Sequence, residues 1–130
     1  MCDRLTEDVF SSDLACLSGY SDYLKEHPQL ISSFLKSMIR AAVFIKQDPA
    51  ESQQVAGDAL AIKPELLREI WPSLDLRVSL DQGLLVSLES QARWAQANQI
   101  ITGTTIPNYL DYIYYDGLDS VMPESITIVR

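Results

Sequence analysis

A chain of 130 residues, 47% of them apolar, is one domain long and can bury a core, which excludes wholesale disorder and removes any need for a disulfide scaffold. Eighteen acids against ten bases leave a net charge of −8, which repels phosphate backbones and anionic membrane faces and counts against nucleic acid as a partner. A small anionic ligand stays open, because the local field of a pocket can oppose the charge of the whole.

Residues 1–8 are polar and read as a loose end. Acids stand there where a signal peptide needs a basic and then an apolar run, and no stretch approaches the ~20 apolar residues of a membrane span. Taken as written, the chain is expected to be cytoplasmic. The text from Val9 to Leu17 holds two apolar groups separated by Ser11, Ser12 and Asp13. Residues 14–18 read as a short strand buried on both faces, with Gly19 as its exit. Cys2 and Cys16 are the two cysteines. A Cys2–Cys16 bridge would need an oxidising compartment. The other reading, preferred here, leaves both as thiols, with Cys16 packed in the strand as free cysteines commonly are.

Residues 20–26 read as a short helix closed by His27-Pro28. Proline disfavours helical geometry in the residue before it and suits the first position of the next helix. That next helix, 28–47, has the clearest pattern: Leu30, Ile31, Phe34, Leu35, Met38, Ile39, Ala42 and Ile45 recur at spacings of three and four. They form one broad apolar face expected to meet the core. Asp48-Pro49 opens a shorter helix to residue 61, and Lys63-Pro64 opens another that Pro72 stops. Residues 74–78 look extended. Ser79 and Gln82 match a capping box at the head of a helix running to Asn98. After a loop at 101–105, residues 107–121 read as two helical pieces broken near Gly117 and ended by Pro123. Residues 126–129 are a candidate terminal strand. The expected class is mainly α with one or two short strands. A lone buried strand needs partners, so this pattern already suggests a piece of a larger α/β protein.

The residues offer little chemistry. His27, the single histidine, has no Cys or Ser partner in a recognisable motif and reads as a loop histidine rather than a general base. One His and two separated Cys are too few for tetrahedral zinc. Five glycines form no phosphate-cradling turn. Asp111, Asp116 and Asp119 lack the spacing and central glycine of a calcium loop and read as a solvated acidic face. Tyr109, Tyr112, Tyr114 and Tyr115 are either a recognition surface or, preferred here, packing with the hydroxyls at the rim. Trp71 and Trp94 are expected in the core. No catalytic residue, metal ligand or cofactor site is assigned, and the chain is not expected to be an enzyme.

Ordered strings carry a resemblance. Ser21-Asp-Tyr-Leu-Lys-Glu-His-Pro28 precedes the long apolar helix and Phe44-Ile-Lys-Gln-Asp-Pro49. Ile62-Lys-Pro-Glu-Leu-Leu-Arg-Glu-Ile-Trp-Pro72, Leu80-Asp-Gln82 and Gln91-Ala-Arg-Trp94 follow. The chain then runs through Pro107-Asn-Tyr-Leu-Asp-Tyr-Ile113 and Leu118 to Pro123-Glu-Ser-Ile-Thr-Ile128. From about Asp13 onward this order resembles the C-terminal part of ABC-importer solute-binding proteins of the nitrate, sulfonate and taurine type. The resemblance implies the C-terminal part of a type II periplasmic-binding α/β fold, whose solute sits in a cleft between two lobes that close by a hinge motion. On that basis residues 1–12 are an N-terminal, hinge-like segment and 13–130 the helical C-terminal portion of a lobe. Ser11, Ser12 and Asp13 are the candidate ligand-binding residues, although a simple turn explains them equally. The family's N-terminal half, which holds most of the pocket, has no counterpart here. The chain alone is therefore expected to bind no solute. Solute and ABC permease are partners of a full-length receptor, which would be periplasmic or extracytoplasmic. The alternative is a free-standing helical interaction module that forms a homodimer through exposed apolar helix faces.

Overall fold

In the computed structural model, residues 15–103 and 105–129 are described. The fold there is mainly α. Two short helices and two longer ones open the chain: α1 (Ser21–Glu26), α2 (Pro28–Gln47), α3 (Pro49–Leu60) and α4 (Pro64–Ile70). A 3-10 turn, Trp71–Ser73, extends α4. After an extended stretch come α5 (Gln82–Ala97), a 3-10 turn at Tyr109–Tyr112, α6 (Tyr115–Asp119) and a last 3-10 turn at Pro123–Ser125.

The helix starts follow local rules. Pro28, Pro49 and Pro64 each stand at the first helical position, where a missing N–H costs nothing and φ is already set. Asp48 caps α3 by accepting from Glu51 N at 3.1 Å. The cap of α5 differs from the expected capping box. Asp81 accepts from Leu84 N at 3.2 Å, so the helix begins at Gln82, and Ser79 donates instead to Asp81 Oδ2 at 3.3 Å. A carboxylate next to the first turn outcompetes a hydroxyl two residues earlier, since its hydrogen bond is charge-assisted and complements the helix dipole.

α2 is the spine. α6 lies across its N-terminal half, where Ser32 and Ser120 share a hydrogen bond of 3.0 Å. The approach is close because Gly117 has no side chain: a Cβ there would sit 3.2 Å from both Ile31 Cγ2 and Leu35 Cδ1. α3 packs on α2 and on α4, and Gly57 allows Leu67 to come down onto α3, its missing Cβ facing Leu67 Cδ1 at 3.2 Å. α5 packs against the Tyr109–Tyr112 turn. The core is thin. Leu67, Leu85, Ala92, Leu118 and Ile128 are its buried apolar residues, and α2 buries no residue fully.

Several expectations are corrected. Of the strand expected at 14–18, residues 15–18 form none, and Leu17 is 69% exposed. Cys16 is likewise exposed, with a free thiol. An apolar run makes a buried strand only where a sheet receives it, and none does so among the described residues. α2 turns only half of its apolar arc inward. Ile31, Leu35, Ile39, Ala42 and Ile45 are half-buried, whereas Leu30, Phe34, Met38 and Phe44 remain exposed. Gly117 lies inside α6 and is buried. The break falls at Ile113 and Tyr114, because the glycine is used for close packing rather than as a helix stop. Pro123 begins a 3-10 turn rather than only ending a helix. The terminal strand shrinks to one parallel bridge, Leu80 with Ile126. Trp94 is 53% exposed instead of buried. Among the described residues no helix is long and apolar enough to cross a membrane.

Candidate functional site

Residues 74–81 alternate apolar and polar side chains: Leu74, Leu76, Val78 and Leu80 against Asp75, Arg77, Ser79 and Asp81. This is the period of a strand with one face toward a core. The chain there is extended but nearly unpaired. Leu80 N donates to Ser125 O at 3.0 Å and Thr127 N to Leu80 O at 2.9 Å, which is the evenly slanted pattern of a parallel pair. The ladder goes no further as backbone, because Gln82 is already helical. Its side chain continues it: Gln82 Oε1 accepts from Val129 N at 3.3 Å. On the other side, Leu74 N turns back to Trp71 O at 3.2 Å.

The polar face of this pair and the C-terminal half of α2 enclose a half-open groove of about 350 Å³. One wall is apolar, from Ile39, Ala42, Val43 and Met122; the other carries Arg77, Ser79, Asp81, Ser125 and Thr127, with Lys46 and Glu124 also lining it. Arg77 is held from two sides, by Asp75 Oδ2 at 3.0 Å from Nε and by Asp81 Oδ2 at 3.3 Å from Nη2. These pairs are largely exposed, so each adds under about 1 kcal/mol, but together with the Asp81 cap they fix the strand-to-helix corner. Two cations and two carboxylates line the groove, so its field favours neither an anion nor a cation. Its hydroxyls lack an adjacent imidazole or thiol among the lining residues, and so no nucleophile–base pair is formed there. Its chemistry is that of a shallow amphipathic cleft, near the lower end of the volume range of ligand sites.

Ser11, Ser12 and Asp13 lie outside the described residues, as does Cys2, so the hinge-like segment is not placed against this groove. His27 sits between α1 and α2 with its ring against Tyr23, centroids 4.4 Å apart. Asp111, Asp116 and Asp119 are all exposed, as expected of a solvated acidic face, and no group of three potential metal ligands occurs among the described residues. The tyrosines divide: Tyr109, Tyr114 and Tyr115 are half-buried, and Tyr112 is 76% exposed with its ring 6.4 Å from that of Tyr109. Sequence reasoning missed the groove. Its signal was the polar half of the 74–81 alternation, which becomes a site only when α2 lies over it. Neither family models, curated proteins nor solved structures yielded a match to this chain.

Proposed function

We propose that this chain is the helical C-terminal portion of an ABC-importer solute-binding protein of the nitrate, sulfonate and taurine class, and that it holds no solute by itself. The observation that carries the proposal is the 74–80 segment. It has the alternation of a sheet strand, yet among the described residues it pairs through a single parallel bridge and leaves Leu74 and Leu76 at 43% and 39% exposure. Parallel pairs are stable when helices cover both faces of a larger sheet, so a lone parallel contact is what remains when the rest of such a sheet lies elsewhere. The ordered strings from Ser21 to Ile128 point to the same class, as a type II periplasmic-binding lobe. In that arrangement these helices form the outside of a lobe, and solute capture belongs to a cleft between two lobes that close on a hinge.

The balanced charge of the groove agrees with this reading, because a receptor for a small anion concentrates donors and positive potential at its pocket. The chain would work in an extracytoplasmic receptor that hands its solute to a permease. Sequencing the locus on both sides of this coding segment tests the proposal. An in-frame lobe beside permease and ATPase genes is the expected result, and a locus without transporter genes defeats it. Calorimetry with nitrate, taurine and an alkanesulfonate is the companion measurement. No binding heat is expected, and a Kd below about 1 mM would show that the chain carries a working pocket alone.

A further inference from the structure

Residues 74–79 form a strand edge that the described fold leaves open. Leu80 donates its N–H to Ser125 O at 3.0 Å, and its C=O accepts from Thr127 N at 2.9 Å. The two backbone groups of a strand residue point to the same edge, and that edge alternates from one residue to the next. Those of Asp75, Arg77 and Ser79 therefore point away from residues 125–127, and among the described residues they bond to nothing. Asp75 and Arg77 share one face of the strand, paired at 3.0 Å with side chains 65% and 58% exposed. Leu74, Leu76 and Val78 share the other face, and the first two are exposed. An extended run with free backbone groups and apolar side chains on one face is a template for another strand.

We infer that the occupant of this edge is a second copy of the chain, paired antiparallel through residues 74–78 about a two-fold axis at Leu76. Self-complementarity selects it. In that register Asp75 stands opposite the partner's Arg77, and Arg77 opposite the partner's Asp75. Each is a hydrogen-bonded pair that exchanges two backbone bonds. On the other face Leu76 meets its own copy on the axis and Leu74 meets the partner's Val78, in the closer, non-hydrogen-bonded positions. The neighbouring registers that keep the apolar faces together fail on charge. Centred on Asp75 or on Arg77, the pairing sets that residue against its own copy. Centred on Val78, it sets Asp75 against the partner's Asp81, and a parallel pairing in register sets like against like at both 75 and 77. Like charges directly opposite destabilise a pair, so the charges that blunt the edge against other pairings favour this one. The interface is small, below about 1,200 Å², so the dimer is weak, with a Kd on the order of 0.1 mM. The net charge of −8 on each copy opposes association, but at physiological salt it acts over only about 8 Å, which leaves the contacts at the edge to decide. The inference concerns the 130-residue chain and does not rest on the receptor reading. A locus without transporter genes leaves it standing, and a monomeric chain leaves the receptor reading standing.

Sedimentation velocity of the whole chain from about 10 μM to about 1 mM should show a reversible dimer. Asp75→Arg and Arg77→Asp, made in separate chains, should each weaken it about tenfold or more, and their equimolar mixture should dimerise as tightly as the unaltered chain. Circular dichroism checks that each variant is folded. Cross-linking reads the register with the charges intact. In a Cys2→Ser, Cys16→Ser background, Leu76→Cys should form a disulfide dimer under copper phenanthroline at least about tenfold faster than Leu74→Cys. The two copies of residue 76 face each other within disulfide reach, whereas those of residue 74 lie about 13 Å apart, four residues along the strand. A chain that stays monomeric to about 1 mM overturns the inference and leaves the edge to a strand of another protein. A dimer that survives both charge substitutions, a mixture of the two variants that stays monomeric, or cross-linking as fast at 74 as at 76 overturns it in favour of another surface or register.

Discussion

Gly117→Ala probes the contact that joins the two ends of the described chain. The added Cβ would lie 3.1 Å from Tyr114 Cε1 and 3.2 Å from both Ile31 Cγ2 and Leu35 Cδ1. Each distance is a few tenths of an ångström inside ordinary van der Waals contact, and two of the three neighbours lie on α2, so the added methyl presses directly on the α2–α6 contact. Overpacking of this kind costs about 1–3 kcal/mol. Replacing glycine inside a helix returns up to about 1 kcal/mol, less in a helix of five residues. The balance is a loss of about 1 kcal/mol, or roughly 4 °C in Tm for a chain of this length. Urea and thermal denaturation followed by circular dichroism measure it. Gly103→Ala is the control, because nothing stands within 4 Å of a Cβ there. If Gly117→Ala raises Tm, or matches Gly103→Ala, the close approach of α6 to α2 is wrong.

Other substitutions separate local from tertiary roles. Asp81→Ala should cost about 1 kcal/mol through loss of the α5 cap, while Asp81→Asn and Ser79→Ala stay within about 0.5 kcal/mol; a larger effect at Ser79 than at Asp81 in denaturation would restore the capping box. Leu67→Ala should destabilise by about 2–3 kcal/mol, against under about 0.5 kcal/mol at its neighbour Leu66, which is 50% exposed where Leu67 is 3%; the same denaturation curves compare them. Ala61 ends α3 with φ 53°, a left-handed conformation that strains a side chain. Ala61→Gly should therefore raise stability by about 0.5 kcal/mol, and a fall in Tm would contradict that cap. Cys16, being exposed, should react with a disulfide reagent in native buffer as fast as in denaturant, and protection that only denaturant relieves would place it inside the fold.

The helices were legible in the chain because their signals are local. Pro28, Pro49 and Pro64 mark three starts, and spacings of three and four mark the long helix between the first two. A proline's fixed φ or an apolar period acts through neighbours a few residues away, so one sequence is enough to read it. The choice among several apolar residues on α2 is not local. Ile31 and Leu35 are covered and Leu30 and Phe34 are not, because α6, some eighty residues later, lies on one side of the helix only. The same holds for Gly117, read as a break and used as a contact, and for residues 74–81, whose alternation promises a sheet that a single bridge to Ile126 barely begins. The mainly α class and the proline-marked helix starts thus belong to the sequence by itself. Which apolar faces are covered, where the groove forms and which strand stands without partners were decided by tertiary packing, since burial depends on what arrives from distant parts of the chain.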